Sequence, residues 1–410
     1  MFQKPDVDNK LKINDDGVRY DTILENDVYD YSQQNDQEDE LEHKCVFEVE
    51  DESELDQPEE REVNFDEQVY ENAPITERKK RENTLLLGLW YGDKKPNMNY
   101  FFHVFYDDLK KFVNGIEVYI PCRRINITVK GILLLGTCDL PARSDCLNFV
   151  QYNGYYGCSY CFCPGMNFTL ETGGNVHVYP YTNNIEKRTL QNCRSFADNA
   201  SRDAPIMGIK GPTALSLIMP DYVMGMAIDR MHCVEGGVVK KLLSLFFNTE
   251  FKNKPFSLYA VINVIDARLK SIKPPKFVHR MPRSVTELLH WKASELKLWF
   301  FHYSLPVLYG ILAPQYFEHY VLLVAGISIL NSNTISLYKL DVARDFLHKV
   351  KCFEYLYGEM YCSINVHQLL HLPDCVQNLG PLWVYSCFEY EDINGQLLKL
   401  IHGTRHIDSQ

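Results

Sequence analysis

Apolar and polar positions follow two different periods along this chain, and the change falls near Gly165. Before it, residues 84–91 (TLLLGLWY) form an apolar run of strand length, closed by Gly92 and Asp93. Residues 100–116 carry Phe101, Val104, Phe105, Leu109, Phe112 and Val113 at helical spacing, which predicts a helix. Residues 126–136 (NITVKGILLLG) read as a β segment whose end delivers Cys138 and Asp139. Strand, helix and strand with a carboxylate at the strand's end predict an α/β core. Beyond Gly165 helical patterns take over, at 226–247, 258–272, 285–303, 316–330, 340–357, 366–378 and 390–401. Pro220, Pro274, Pro275, Pro282, Pro306 and Pro314 are expected between them, where helix breakers belong.

With 410 residues, 46% of them hydrophobic, the chain can bury a large core, in two or three domains or in one with a long insertion. The apolar run at 320–330 is about half of what a bilayer helix needs, and no signal segment opens the sequence. A soluble, intracellular protein without a membrane partner is expected. Its 13 cysteines are diluted and odd in number, which favours reduced thiols, some of them metal ligands.

The net charge of −12 is unevenly spread. Residues 1–80 hold 26 acidic against 9 basic side chains, and the remainder holds 28 against 33. This predicts an acidic, mostly disordered tail over 1–67, ahead of a mildly basic body that permits nucleic-acid binding. Arg78, Lys79, Lys80 and Arg81 form a basic cluster, readable as a nuclear import signal or as a solvated linker.

Four constellations carry chemistry. Cys158 and Cys161 form a CxxC, a tight turn in which two thiolates can share one Zn²⁺. Cys163 extends it to CxxCxC and is a rival second thiol, and a redox motif is the competing reading. His367 and His371 are four apart, on one face of a helix, either as a chelating pair or as two packed histidines. Together these pairs make a complete Cys₂His₂ set that would pin distant parts of the chain. Asp139 at the strand end, and Glu389, Glu391 and Asp392 at the start of the last helix, are candidate ligands of a two-metal nuclease centre. On composition alone the ordinary reading is favoured, with Asp139 a turn residue and Glu391 and Asp392 helix N-terminal acids. Asp229-Arg230-Met231-His232-Cys233 could be a further metal cluster, or Asp229 could cap the following helix with His232 packed inside it.

The order of these motifs resembles that of CACTA (En/Spm)-type transposases, with a more distant similarity to the catalytic subunit of the vertebrate V(D)J recombinase. The resemblance rests on LLLGLWYGDKKPNMNYFF (85–102), CDLPARSDCLNFVQYNGYYGCSYC (138–161), DRMHCVEGGVVKKLL (229–243), LLHWKASELKLWFFHYSLPVLYGIL (288–312) and residues 364–405. It spans roughly residues 68–405, and the last block is the most specific.

The resemblance implies an RNase H-like core, incomplete at its N-terminal strands, with a large all-helical insertion. The core would occupy 68–165, the insertion 166–363, and a closing segment 364–405. It implies that Asp139 is the second acid of a DDE triad and Glu391 the last, since Glu389 takes a proline-like position of the family's CFPFED motif. Asp16, in Asn14-Asp15-Asp16-Gly17-Val18, resembles the first-acid motif NTDGV, although residues 21–62 match nothing in the family. Cys158, Cys161, His367 and His371 would bind one structural zinc, and the acids Mg²⁺ or Mn²⁺. DNA is the implied partner, the nucleus the implied compartment, and a homodimer the implied assembly. The family's upstream DNA-binding domain has no counterpart here. The expectation is thus a transposase-derived protein, inactive or truncated. The alternatives are a domesticated nuclear factor that binds DNA or protein without catalysis, and a zinc-stabilised helical domain with no nucleic-acid role.

Overall fold

The computed structural model describes residues 62–63, 80, 83–90, 92, 94–170, 173–274, 276, 278 and 281–400. The chain divides into two compact units, Lys44–Cys387 and a second formed by Phe388–Gln410 with Met1–His43. Of the second unit residues 388–400 are described, and they carry a helix at Phe388–Leu398. Helix and sheet are mixed, with helices dominant and strands paired two by two among the described residues. No helix among these residues is long and apolar enough to cross a membrane.

In the larger unit, Glu62–Val63 (β1) pairs antiparallel with Ile335–Ser336 (β8), so a strand lies inside the stretch expected to be tail. Residues 84–90 hold no regular structure, contrary to the predicted strand, and Leu85 is 80% exposed. The run has strand propensity, but a strand also needs a neighbour for its backbone groups, and no pairing partner is found among the described residues. The helix expected at 100–116 is two helices, α1 (Met98–His103) and α2 (Tyr106–Asn114). Phe105 N donates to Phe102 O across the break, an i−3 bond that tightens the turn.

The β segment expected at 126–136 also divides, because it serves two partners. Ile125–Val129 (β3) pairs antiparallel with Ile116–Ile120 (β2), and Gly136–Cys138 (β4) runs parallel to Met226–Ile228 (β7). A Cβ at Gly136 would lie 2.7 Å from the Met226 sulfur, so any larger residue there would have to turn the Met226 side chain aside. Cys138 and Ile228 are register partners, so Asp139 and Asp229 each follow the carboxyl end of one of two adjacent parallel strands. Asp139 then caps α3 (Leu140–Leu147), with Ala142 N donating to its carboxylate at 2.8 Å.

The expected all-helical stretch after Gly165 contains a β hairpin, Met166–Thr169 (β5) with Asn175–Val178 (β6), as well as β7 itself. The single helix predicted at 226–247 is β7, a π-helical segment at Met231–Val239 and a helix at Lys240–Phe247. Short apolar runs such as Met-Ala-Ile suit either state, and here β4 supplies the partner that decides. Pro306 lies inside a helix, Ser304–Leu308, rather than between helices. The π-helical segment Trp299–Tyr303 just before it widens the backbone where a proline ring would collide with the carbonyl four residues back. Pro314 sits in the first turn of its helix, Pro314–Leu330, where a missing N–H costs nothing.

The core is built on that helix. Tyr316, His319, Tyr320, Leu323, Val324, Ile327 and Leu330 are buried at the 3–4 spacing of one broad face. Gly326 lets the next helix, Leu337–Lys349, come close, because a Cβ there would lie 3.0 Å from Leu347. Trp299, Phe246, Phe300 and Tyr320 are among the fully buried side chains that fill the same core.

Candidate metal centre

Cys158, Cys161, His367 and His371 come together. Their ligand atoms all lie within 4.8 Å of one another, and all four residues are buried. His367 Nε2 is 3.2 Å from His371 Nε2 and 3.2 Å from Cys161 Sγ. Zinc bonds of about 2.1 Å to nitrogen and 2.3 Å to sulfur in a tetrahedron place such atoms about 3.3–3.6 Å apart. The set therefore fits one metal ion such as zinc, with four protein ligands and no position left open. Cys163 is buried but lies outside the group, so Cys161 is the second thiol.

Local chemistry explains how each side is shaped. Pro373 has no N–H to offer the Leu369 carbonyl, which takes Leu372 N instead in the 3-10 turn Leu369–His371. This tight turn follows the short helix Ile364–Gln368 and sets the angle between the two imidazoles. On the thiol side, Gly157 packs so closely that a Cβ would lie 2.5 Å from Gln151 O. Tyr160 N then donates to Cys158 Sγ at 3.4 Å. Tyr160 stacks on His371 and donates its hydroxyl to Met226 O, tying the centre to β7. Tyr179 packs against His367 and donates to Tyr152 O at 2.7 Å.

Arg188 holds the thiol loop from behind, and the sequence motifs gave no sign of it. It is 1% exposed, with Nε donating to Cys158 O and Cys161 O and Nη2 to Tyr156 O and Met207 O. Its guanidinium lies between the rings of Phe149 and Phe162, at 4.9 and 4.4 Å.

Burial opposes a Cys158 thiolate, but the Cys161 hydrogen bond and the charges of His371 and His367 together hold its pKa well below the ordinary thiol value. The Cys161 thiol is pushed far up, first by its hydrogen bond with Cys158 and then by burial. A metal ion bound here would take both sulfurs as thiolates and displace the thiol proton that remains.

Asp139 is partly buried at the end of β4, and one carboxylate oxygen is engaged as the helix cap. Asp16 lies outside the described residues. Glu391 is half-buried and Glu389 exposed, both in the first turn of the helix Phe388–Leu398 of the other unit. Asp229 caps its helix, as one reading expected, with His232 N donating to Oδ2 at 2.8 Å. Its side chain also bonds His232 Nδ1 at 2.6 Å and accepts Cys387 N at 2.8 Å. His232 therefore reaches back to the carboxylate instead of packing inside the helix. No protein-family model and no curated protein matches the chain.

Proposed function

We propose that this chain is a transposase-derived, DNA-binding protein, related to the CACTA type, with an RNase H-like core pinned by a structural zinc. The convergence of Cys158 and Cys161 with His367 and His371 carries the reading. Cys161 and His367 stand 206 positions apart, and the joined segments are those that the motif order of such transposases pairs. Asp139 supports it too, a carboxylate at the end of a parallel strand, 19 positions before Cys158.

The zinc assignment follows from the donors. Two thiolates and two imidazoles suit a borderline-soft ion, and four ligands give a closed, structural site. Strand-transfer chemistry would therefore use the acids and not this centre. A two-ion site requires carboxylates that converge from separate elements, and Mg²⁺ or Mn²⁺ would supply an activated water and a stabilised leaving oxygen. On this reading binding is the present function and strand cleavage belongs to the ancestor, since residues 21–62, which separate Asp16 from the rest of the motif order, match nothing in the family.

DNA affinity of the purified chain, measured across salt, tests this. A linear fall of log K with log salt is expected, as phosphate contacts release counterions. Binding that is absent or indifferent to salt contradicts it. A plasmid-nicking assay in Mn²⁺ separates ancestral from present chemistry. No nicking supports the binding role, and nicking abolished by Asp139→Asn would show that the acid site still works.

A further inference from the structure

A second group of ligand-type side chains lies at the carboxyl end of β7. One ligand atom each from Asp229, His232 and Cys387 falls within 4.8 Å of the other two. Asp229 is 1% and Cys387 5% exposed, and the His232 side chain is 21% exposed. The group is thus enclosed on the carboxylate and thiol sides and open at the imidazole. We propose that Asp229, His232 and Cys387 form a second metal site, for a zinc-class divalent cation, with one coordination position left for an oxygen ligand.

The donor chemistry selects the ion. Mg²⁺ and Ca²⁺ prefer all-oxygen ligand sets, whereas sulfur, nitrogen and oxygen donors together suit zinc or cobalt. Three protein ligands are the number that zinc sites with an open position use. The Cys₂His₂ centre is complete with four, so the two sites differ in kind.

The surroundings hold the ligands as a metal site requires. Backbone N–H groups fix both carboxylate oxygens of Asp229, Cys387 N on Oδ1 and His232 N on Oδ2, each at 2.8 Å. An ionised carboxylate accepts about four bonds, so these two leave room for a cation. The third contact, His232 Nδ1 to Oδ2 at 2.6 Å, has the length of a hydrogen bond. A cation takes the place of the one proton in that contact, the neutral imidazole keeping its proton on Nε2 and the Cys387 thiol proton passing to solvent, and nitrogen and oxygen then separate to about 3 Å as ligands of one ion. Thr137 of β4 lies 3.5 Å from Cys387 Sγ, placed to donate its hydroxyl to a thiolate. The ligands come from positions 158 apart, so the site would also fasten residue 387 to the strand pair.

Zinc stoichiometry tests this on the full-length protein, and it does not depend on whether the protein binds DNA. The chain is loaded with excess Zn²⁺, desalted, and its metal counted. About two ions per chain are expected for the wild type, one for each ligand set. Cys387→Ser and His232→Gln should each retain one, and that retained ion, held by ligands distant in sequence, reports that the variant has folded. With Co²⁺ in place of Zn²⁺, the thiolate-to-cobalt charge-transfer band of Cys387→Ser should fall by about one third, because three metal-bound sulfurs become two. A wild-type count of one or fewer, or a count unchanged in Cys387→Ser, overturns the proposal and leaves Asp229 and His232 as a hydrogen-bonded pair without metal.

Discussion

Two buried side chains carry distinct demands. Arg188 offers a planar fork to four carbonyl oxygens and lies between two rings, a role that a lysine ammonium cannot fill. Arg188→Lys should cost about 3 kcal/mol in chemical denaturation and weaken zinc binding about tenfold in a chelator competition. Unchanged zinc affinity would mean that the thiol loop holds its shape without the fork. His319 sets a pH dependence. Burial lowers its pKa from 6.5 to about 4, against the bond from its ring to Val350 O. The folded form therefore binds a proton less readily than the unfolded chain. The stability this group contributes is full above pH 6.5 and is lost as pH falls towards 4, by about 3 kcal/mol over that window. His319→Gln, which keeps a donor for Val350, should flatten the fall in stability over that range. An identical pH profile in both proteins would contradict it.

Elements were legible where the pattern was long, and less so where a partner decided. The helix Pro314–Leu330 follows its apolar stripe, and its contact with Leu337–Lys349 depends on Gly326. Gly326→Leu should overpack that contact and cost about 1–3 kcal/mol, read as a lower unfolding midpoint. The helix pattern at 226–247 concealed β7, because the choice between strand and helix for three apolar residues was made by β4, which lies 90 positions earlier. Residues 84–90 failed in the opposite sense, with strand propensity but no partner strand among the described residues. At the metal centre, the CxxC and HxxxH spacings reflect geometry within one turn, so both pairs could be read from the chain. Arg188 and the grouping of Asp229 with Cys387 could not, because they depend on contacts between elements that no local spacing encodes.

For the whole molecule, a metal that joins residues 158–161 to residues 367–371 closes a long loop of chain, and its binding energy becomes folding energy. On this account the thiol loop, β7 and the HxxxH turn form one cooperative structure. Under the function proposed above, the mildly basic body would offer DNA a fixed surface, and the acids would have no part in the present function. The most direct test compares metal content and unfolding of the wild type with Cys158→Ser and His371→Ala. Each variant should lose one zinc per chain and about 3 kcal/mol or more of stability, and a chelator should drive the wild type to the same weakened state. Variants that keep the full zinc content, or lose it with no change in unfolding, would show that these four side chains are not the metal centre that holds the fold together.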